Sequence, residues 1–535
     1  YCKTKINMKS YKEHLLSIKY FGEDTSKTLQ KPVYKTSAIF PVIESEALHT
    51  KILFMGYWLV KRNISQLGFL ISLRSEDGKL ILRKNSSIDS AKAFEVSIKD
   101  LINELDYNIE SFIGSIELEI FSTVDLVFPY PAVVIDYYNK MGAGLVHTTG
   151  RIYNDIEDLQ ANESIKVDEA GFDILPSKEY EPFFAFVNGH INSKNTDITI
   201  ELIKESGEIF SKDINLGEVS PLQTVFFKLK NFLDVDAFLQ GEIGTAKIKH
   251  NLTGFFPRFI AGNFSRVDNA VSITHTYYDN SENKNSSDYF ENENPKILLD
   301  SSIFVPLFIE DNWYTQVKLY PIYTPSNHSI NLKFFDEKGN LHSEIEDYLR
   351  IKEGQSSYFT IDFNKCIEEA NLDKSKIKGV QLYKVWQDKT KIPTRLKYGL
   401  NIGKRGMKHD LPTNICFNSN IANIKTLDKK QAFKWMPIVN QHQSLIIIQN
   451  SSFCKDYSQK ANIIVSFYHI FSDRTLVREF VIPANGQTRI LPDDEIKDFL
   501  NDNSGWITVN SDNPFVTGWY FEFNESGIMG GDHSF

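Results

Sequence analysis

Four histidines in this sequence fall at a near-constant distance after a proline. Pro129 precedes His147 by 18 residues, Pro257 precedes His275 by 18, Pro393 precedes His409 by 16 and Pro514 precedes His533 by 19. An imidazole at a repeated structural position has three chemistries open to it. It can donate from one ring nitrogen and accept at the other, ligate a metal, or titrate near neutral pH. The residues before the four histidines differ (Val146, Thr274, Lys408 and Asp532). A metal site completed by Asp410 or Asp532 would tolerate that variation poorly. The expectation is therefore structural, with no metal and no cofactor: each histidine closes the last strand of a unit and fastens an edge or a domain junction.

The fourth histidine lies in Gly530-Gly531-Asp532-His533-Ser534. This string resembles a metal-site motif of the arginase-type ureohydrolases, where the histidine ligates manganese. That family also needs aspartate-rich DxHxD motifs, and none occurs in this sequence. A manganese pair cannot be held by one His and one Asp. HExxH, GxSxG, GxxxxGK[ST] and GxGxxG are absent as well, so no catalytic residue is assigned and a non-enzyme is expected. Cys2, Cys366, Cys416 and Cys454 include no CxxC pair, which leaves out a zinc framework or a thioredoxin-type motif. Asp493-Asp494-Glu495 could hold a cation, but it reads better as the acidic start of a helix.

Aromatic side chains are the other candidates for recognition, because they stack on sugar rings. Of the six tryptophans, Trp435 and Trp506 sit in apolar runs and read as core. Trp313, in Glu310-Asp311-Asn312-Trp313-Tyr314, reads as lying in a polar turn. Trp313 and Tyr314 are thus the carbohydrate-binding candidates.

The elements that must position these residues repeat with them. Apolar stretches around Pro41, Pro182, Pro306 and Pro437 open four units, and Pro129, Pro257, Pro393 and Pro514 mark the approach to their ends. Between them run alternating segments such as Asp197-Ile198-Thr199-Ile200-Glu201-Leu202, the period of half-buried strands. Asp77-Gly78, Ser206-Gly207 and Lys338-Gly339 are hairpin dipeptides, and Phe471-Ser472-Asp473-Arg474 stands in their place in the fourth unit. A short helical segment follows in each, near Asp100, Lys230, Lys365 and Asp493. About seven strands per unit of roughly 110 residues predicts an all-β fold of four diverged β-sandwich domains, Ig-like or jelly-roll-like, with short connecting helices. The expected boundaries are an N-terminal helical segment at 1–30, sandwiches at 31–155, 172–280, 298–420 and 428–535, and a polar linker at 281–297. The helix in the first segment is expected from the capping box Ser10-Tyr11-Lys12-Glu13 ahead of an apolar run ended by Gly22.

Bulk properties narrow the function further. A net charge of −10 over 535 residues argues against a nucleic-acid surface. No apolar run approaches the roughly 18 residues of a membrane helix. The start, YCKTKINMKS, has neither a signal core nor an initiator methionine, so it reads as processed or trimmed, with a lean to the extracellular side or cell surface. The plan resembles the tandem β-sandwich arrays of bacterial surface and adhesion proteins, a likeness of architecture only. The expected function is a structural or interaction protein that assembles with itself or with other surface proteins. The alternative is a carbohydrate-binding or carbohydrate-processing protein with a site in an interdomain cleft.

Overall fold

The computed structural model describes all residues except 1–6, 10–18, 22–27, 106–109, 128–130, 148–158, 166–167, 177, 256, 280–300, 322–323, 325, 356–357, 389–395, 409, 420–428, 455, 526 and 528. Strands dominate, and four blocks of them share one topology. In the first block the eight strands are Lys35–Ser45, His49–Met55, Leu67–Ser75, Leu80–Ile88, Ala93–Ser97, Ser111–Phe121, Val133–Asn139 and Gly142–His147. Counted in chain order they form two antiparallel sheets, 1-6-3-4 and 5-2-7-8. The third block, from Ser301–Pro306 to Ile415–Ser419, and the fourth, from Ala432–Ile438 to Met529–His533, repeat both orders. So does the second, whose larger sheet gains Tyr277–Asp279 beyond its first strand. The fold is an all-β tandem of sandwiches, each with eight strands where about seven were expected.

The alternation read from sequence becomes the two faces of each sheet. In the second block Phe184, Phe186, Ile198, Ile200, Leu202, Ala246 and Ile248 point into one buried cluster. Each such large side chain stabilises the fold by roughly 1.5–3 kcal/mol relative to exposure. A helix sits between the fifth and sixth strands in every copy: Ile98–Asn103, Val235–Leu239, Phe363–Glu369 and Asp494–Leu500. Each starts on a side chain that accepts a backbone N–H three residues on, from Ser97, Asp234, Asp362 and Asp493 respectively. Asp493 therefore opens a helix, and Arg478 also pairs with it and with Glu495.

The opening prolines divide. Pro41, Pro306 and Pro437 lie in first strands, which are sheet edges where a missing N–H costs no ladder bond. Pro182 instead lies in the second strand of its block, Tyr180–Val187. There the first strand is broken into Asp168–Ala170 and Asp173–Ile174 by Gly171, whose φ is +90°. At the N-terminus residues 10–18 lie outside the described residues. Lys19–Phe21, expected as helix, is a strand paired with Thr28–Gln30, and Asn7–Lys9 pairs in parallel with Glu163–Ile165. The linker expected at 281–297 also lies outside the described residues.

The chain divides into two compact units, residues 1–140 with 145–280, and residues 281–535 with 141–144. Each holds a pair of sandwiches. Within the second unit one apolar cluster runs through both members of the pair, from Val305 and Leu332 to Ile447, Trp519 and Phe521.

Candidate functional sites: closing histidines, sandwich junctions and a buried lysine

Three of the four repeated histidines occupy the same structural position, the last residue of the eighth strand: His147, His275 and His533. His275 is buried, and its Nδ1 lies 2.8 Å from the carbonyl of Thr276. Arg258 reaches the same carbonyl at 3.2 Å, and the Thr276 hydroxyl donates to the Glu169 carboxylate. The His147 ring meets His275 edge to face, with centroids 4.9 Å apart, so two copies of the repeated position touch within the first unit. His533 Nδ1 lies 3.2 Å from the carbonyl of Ser534, again the next residue, while the Asp532 carboxylate accepts the His533 backbone N–H at 2.7 Å.

His409 departs from this pattern. The eighth strand of the third sandwich runs from Ile415 to Ser419, so Ser419 holds the strand-closing position. Position 409, itself outside the described residues, precedes that strand. The cause is a longer connection between Lys404 and Ile415, which breaks the link between proline spacing and strand position. Pro129 and Pro393 lie outside the described residues. Pro257 is buried ahead of the strand Ile260–Ser265, and Pro514 is half-buried ahead of Val516–Phe523. Pro514 also lines an open cleft of about 600 Å³ with Tyr457, Phe515, Gln459, Asp456 and Asp512.

Trp313 follows a turn, as its sequence suggested, with Asp311 and Asn312 at positive φ. The ring does not stand free, however. It begins the strand Trp313–Leu319, packs against Phe308 and Phe523, and has the Lys404 amine over it at 5.7 Å. Tyr314 is buried, with the Arg405 guanidinium 5.3 Å from its ring.

The paired sandwiches dock through a contact that sequence reading missed. In the first unit the hairpin tip Ser75–Lys79 inserts against the turn before the fifth strand of the second sandwich, and the Glu76 carbonyl accepts from Thr224 N–H at 2.9 Å. A methyl group added at Gly78 would overlap the backbone of Pro221, Leu222 and Gln223. In the second unit the tip Asp336–Asn340 does the same. The Glu337 carbonyl accepts from Gln487 N–H at 3.0 Å, and Gly339 lies against Ala484, Asn485 and Gly486. The hairpin dipeptides were visible in sequence. The glutamate two residues before each glycine, which also marks the contact, was the unused signal. Around it, Arg489 donates to the Leu307 carbonyl at 2.8 Å with its guanidinium over Phe308, and Gln487 donates to the Lys378 carbonyl.

Charged groups are also buried inside the sandwiches. In the first sandwich Arg74 and Glu117 pair at 2.9 Å with both side chains buried. Loss of water outweighs the guanidinium, so the Glu117 carboxyl is pushed up to about 7. In the third sandwich Lys384 is fully buried on the core face of its strand, between Leu382 and Trp386, with its amine 5.1 Å from the Tyr398 ring. Burial pulls its pKa far below the ordinary lysine value. His328, whose ring lies tilted against Trp386 with centroids 4.6 Å apart, is pulled down to about 4, mainly by burial. It lines a cavity of about 30 Å³ with Tyr320, Thr324 and Tyr398, room for about one water. Cys366, Cys416 and Cys454 are not joined by disulfides.

Among the described residues, three of the repeated histidines close strands, and the feature made twice is a docking contact between paired sandwiches. No protein-family model and no curated protein matches this chain.

Proposed function

We propose that this chain is a non-enzymatic structural protein that builds an assembly from docked pairs of sandwiches. The observation that carries this reading is the hairpin-to-turn contact, made twice with a glutamate carbonyl and a close-approach glycine in the same places. Repetition of an interface without repetition of a catalytic set is what a scaffold needs. Native mass by light scattering, with negative-stain imaging, tests it. Ordered particles of two or more chains are the expected result, and a monodisperse single chain at all concentrations would sink the proposal.

A second reading is favoured by the cleft beside Pro514, where Tyr457 and Phe515 offer aromatic surface among carboxylate, amide and lysine groups. Such a lining suits a saccharide. Glycan-array binding that is lost in Phe515→Ala and kept in Trp313→Ala would support it; an array without hits would remove it.

A further inference from the structure

The cleft beside Pro514 is built on a connection longer than its counterpart in the second sandwich. In both copies a buried asparagine does the same work at the end of the second strand. Asn188 donates its side-chain amide to the carbonyls of Ile191, Val219 and Ser220, and Asn450 donates to those of Gln459, Ile482 and Pro483. After Asn188 the chain reaches its third strand at Ser193, whereas after Asn450 it does so only at Ala461. One fastening thus closes a short connection in one copy and a long one in the other. The added length is not needed for the turn, and it carries Phe453, Asp456, Tyr457, Ser458 and Gln459. Extra loop residues on a rigid scaffold are where recognition is commonly placed.

Buried amides hold the aromatic rings of that connection in place. The Tyr457 hydroxyl donates to the Asn450 side-chain oxygen at 2.5 Å and accepts from the Asn513 amide at 2.6 Å. Asn513, itself buried, also donates to the Lys460 carbonyl and accepts the Phe515 N–H. The Phe515 ring meets Tyr457 and Phe453 edge to face, with centroids 5.4 and 5.6 Å apart. Tyr457 and Phe515 therefore line the cleft half-buried, with their orientation fixed before any ligand arrives. A ligand is spared the cost of ordering them.

Charge at the cleft is uneven once the partners are followed. Asp512 accepts the Asn462 backbone N–H at 2.9 Å and its side-chain amide at 2.6 Å. These bonds, with the Lys460 charge nearby, hold its carboxyl below the ordinary range, so its charge is already compensated. Lys429 and Lys430 line the same cleft, both exposed, and among the described residues no carboxylate pairs with either. Asp456 is the other acid of the lining. Two amines thus stand against a single uncommitted carboxylate, in a volume of about 600 Å³ that falls in the range of small-ligand sites.

We infer that this cleft takes an acidic saccharide, one whose ring carries a carboxylate or a sulfate, with the sugar face on Tyr457 and Phe515 and the anion at the Lys429 and Lys430 amines. The inference rests on the saccharide reading above and names its class. Asp456 and Gln459 are left to accept from and donate to ring hydroxyls. Exposed lysines on flexible stems act here as point charges, so their contribution is sensitive to salt, whereas the contact with the fixed rings is not.

The test is a glycan array of the full chain with separate neutral, amino-sugar, uronic-acid and sulfated sets. Calorimetric titration follows, with the uronic-acid or sulfated oligosaccharide that binds most tightly and with the neutral oligosaccharide of the same backbone. Hits confined to the uronic-acid or sulfated sets are the expected result, with the neutral counterpart weaker by about tenfold or more. The double variant Lys429→Ala/Lys430→Ala is expected to lose a similar factor and to keep its thermal midpoint, because both side chains are exposed. Acidic glycans bound equally well by that double variant overturn the inference. Hits confined to neutral or amino sugars and lost in Phe515→Ala overturn it too, while leaving the saccharide reading in place. An array without hits removes both.

Discussion

Glu117 shows how a single residue couples this fold to pH. Its carboxyl is held near 7 by burial, against an ordinary value of 4.5, despite Arg74 at 2.9 Å. A carboxyl whose folded pKa is raised binds its proton more tightly in the native state. Its contribution to stability is then complete below about 4.5 and is lost as pH rises through 7. The loss is on the order of 3 kcal/mol. Glu117→Gln keeps the shape and removes the titration. Chemical denaturation of the variant is expected to show a flatter profile between pH 5 and 8 than the parent, and an unchanged slope would refute the assignment. Lys384 was legible in principle, since Val380, Leu382, Lys384 and Trp386 share one parity in the strand Gly379–Trp386. Alternation marks the strand, and a lysine at the apolar parity marks a buried charge. His409 failed for the opposite reason. Counting from Pro393 assumes a fixed connection, and the longer loop ahead of Ile415 breaks that assumption without any local mark.

At the scale of elements, the hairpin tips separate two costs that are usually confounded. Gly78, Gly339 and Gly207 all have positive φ, so alanine at any of them carries backbone strain of about 1 kcal/mol. Among the described residues, the new methyl group also meets a neighbouring backbone only at Gly78 and Gly339. Gly78→Ala and Gly339→Ala are therefore expected to lower the denaturation midpoint more than Gly207→Ala, by a further 1–3 kcal/mol or so. The comparison is made at protein concentrations too low for association. Equal losses at all three positions would mean that the docked tips are not under close contact. Strands, tips and helices were legible because each is written locally: alternation, Asp-Gly, Ser-Gly or Lys-Gly at the turn, and a capping Asp or Ser ahead of the helix. The break at Gly171 was not, because it requires knowing that the strand on its two sides pairs with one partner, Gly244–His250. Docking likewise depends on which turn faces which tip, and no single segment records that.

For the whole molecule, the balance of buried titrating groups differs between the two compact units. The first contains Glu117, whose contribution fades as pH rises through about 7, and also His250, which burial pulls down to about 4 and which acts the other way. The second contains His328, held near 4 against an ordinary 6.5, mainly by burial beside Trp386. A histidine with a lowered folded pKa must be charged more easily once unfolded. Its contribution is complete above 6.5 and is lost as pH falls from 6.5 towards 4, by up to about 3 kcal/mol. The Lys384 amine, also pulled down by burial, acts in the same direction in the same sandwich. Calorimetry is expected to resolve two transitions that move apart with pH, because two units with separate cores need not unfold as one. Acidification from pH 7 to 5 should lower the transition of the second unit more than that of the first, where the gain from Glu117 offsets the loss from His250. His328→Phe assigns the peaks, since phenylalanine fills a similar volume against Trp386 and cannot take a proton. In that variant the acid-sensitive transition should lose most of its shift while the other keeps its own. A single transition shifting uniformly in both proteins would mean that the units unfold together and that His328 does not set the acid limit.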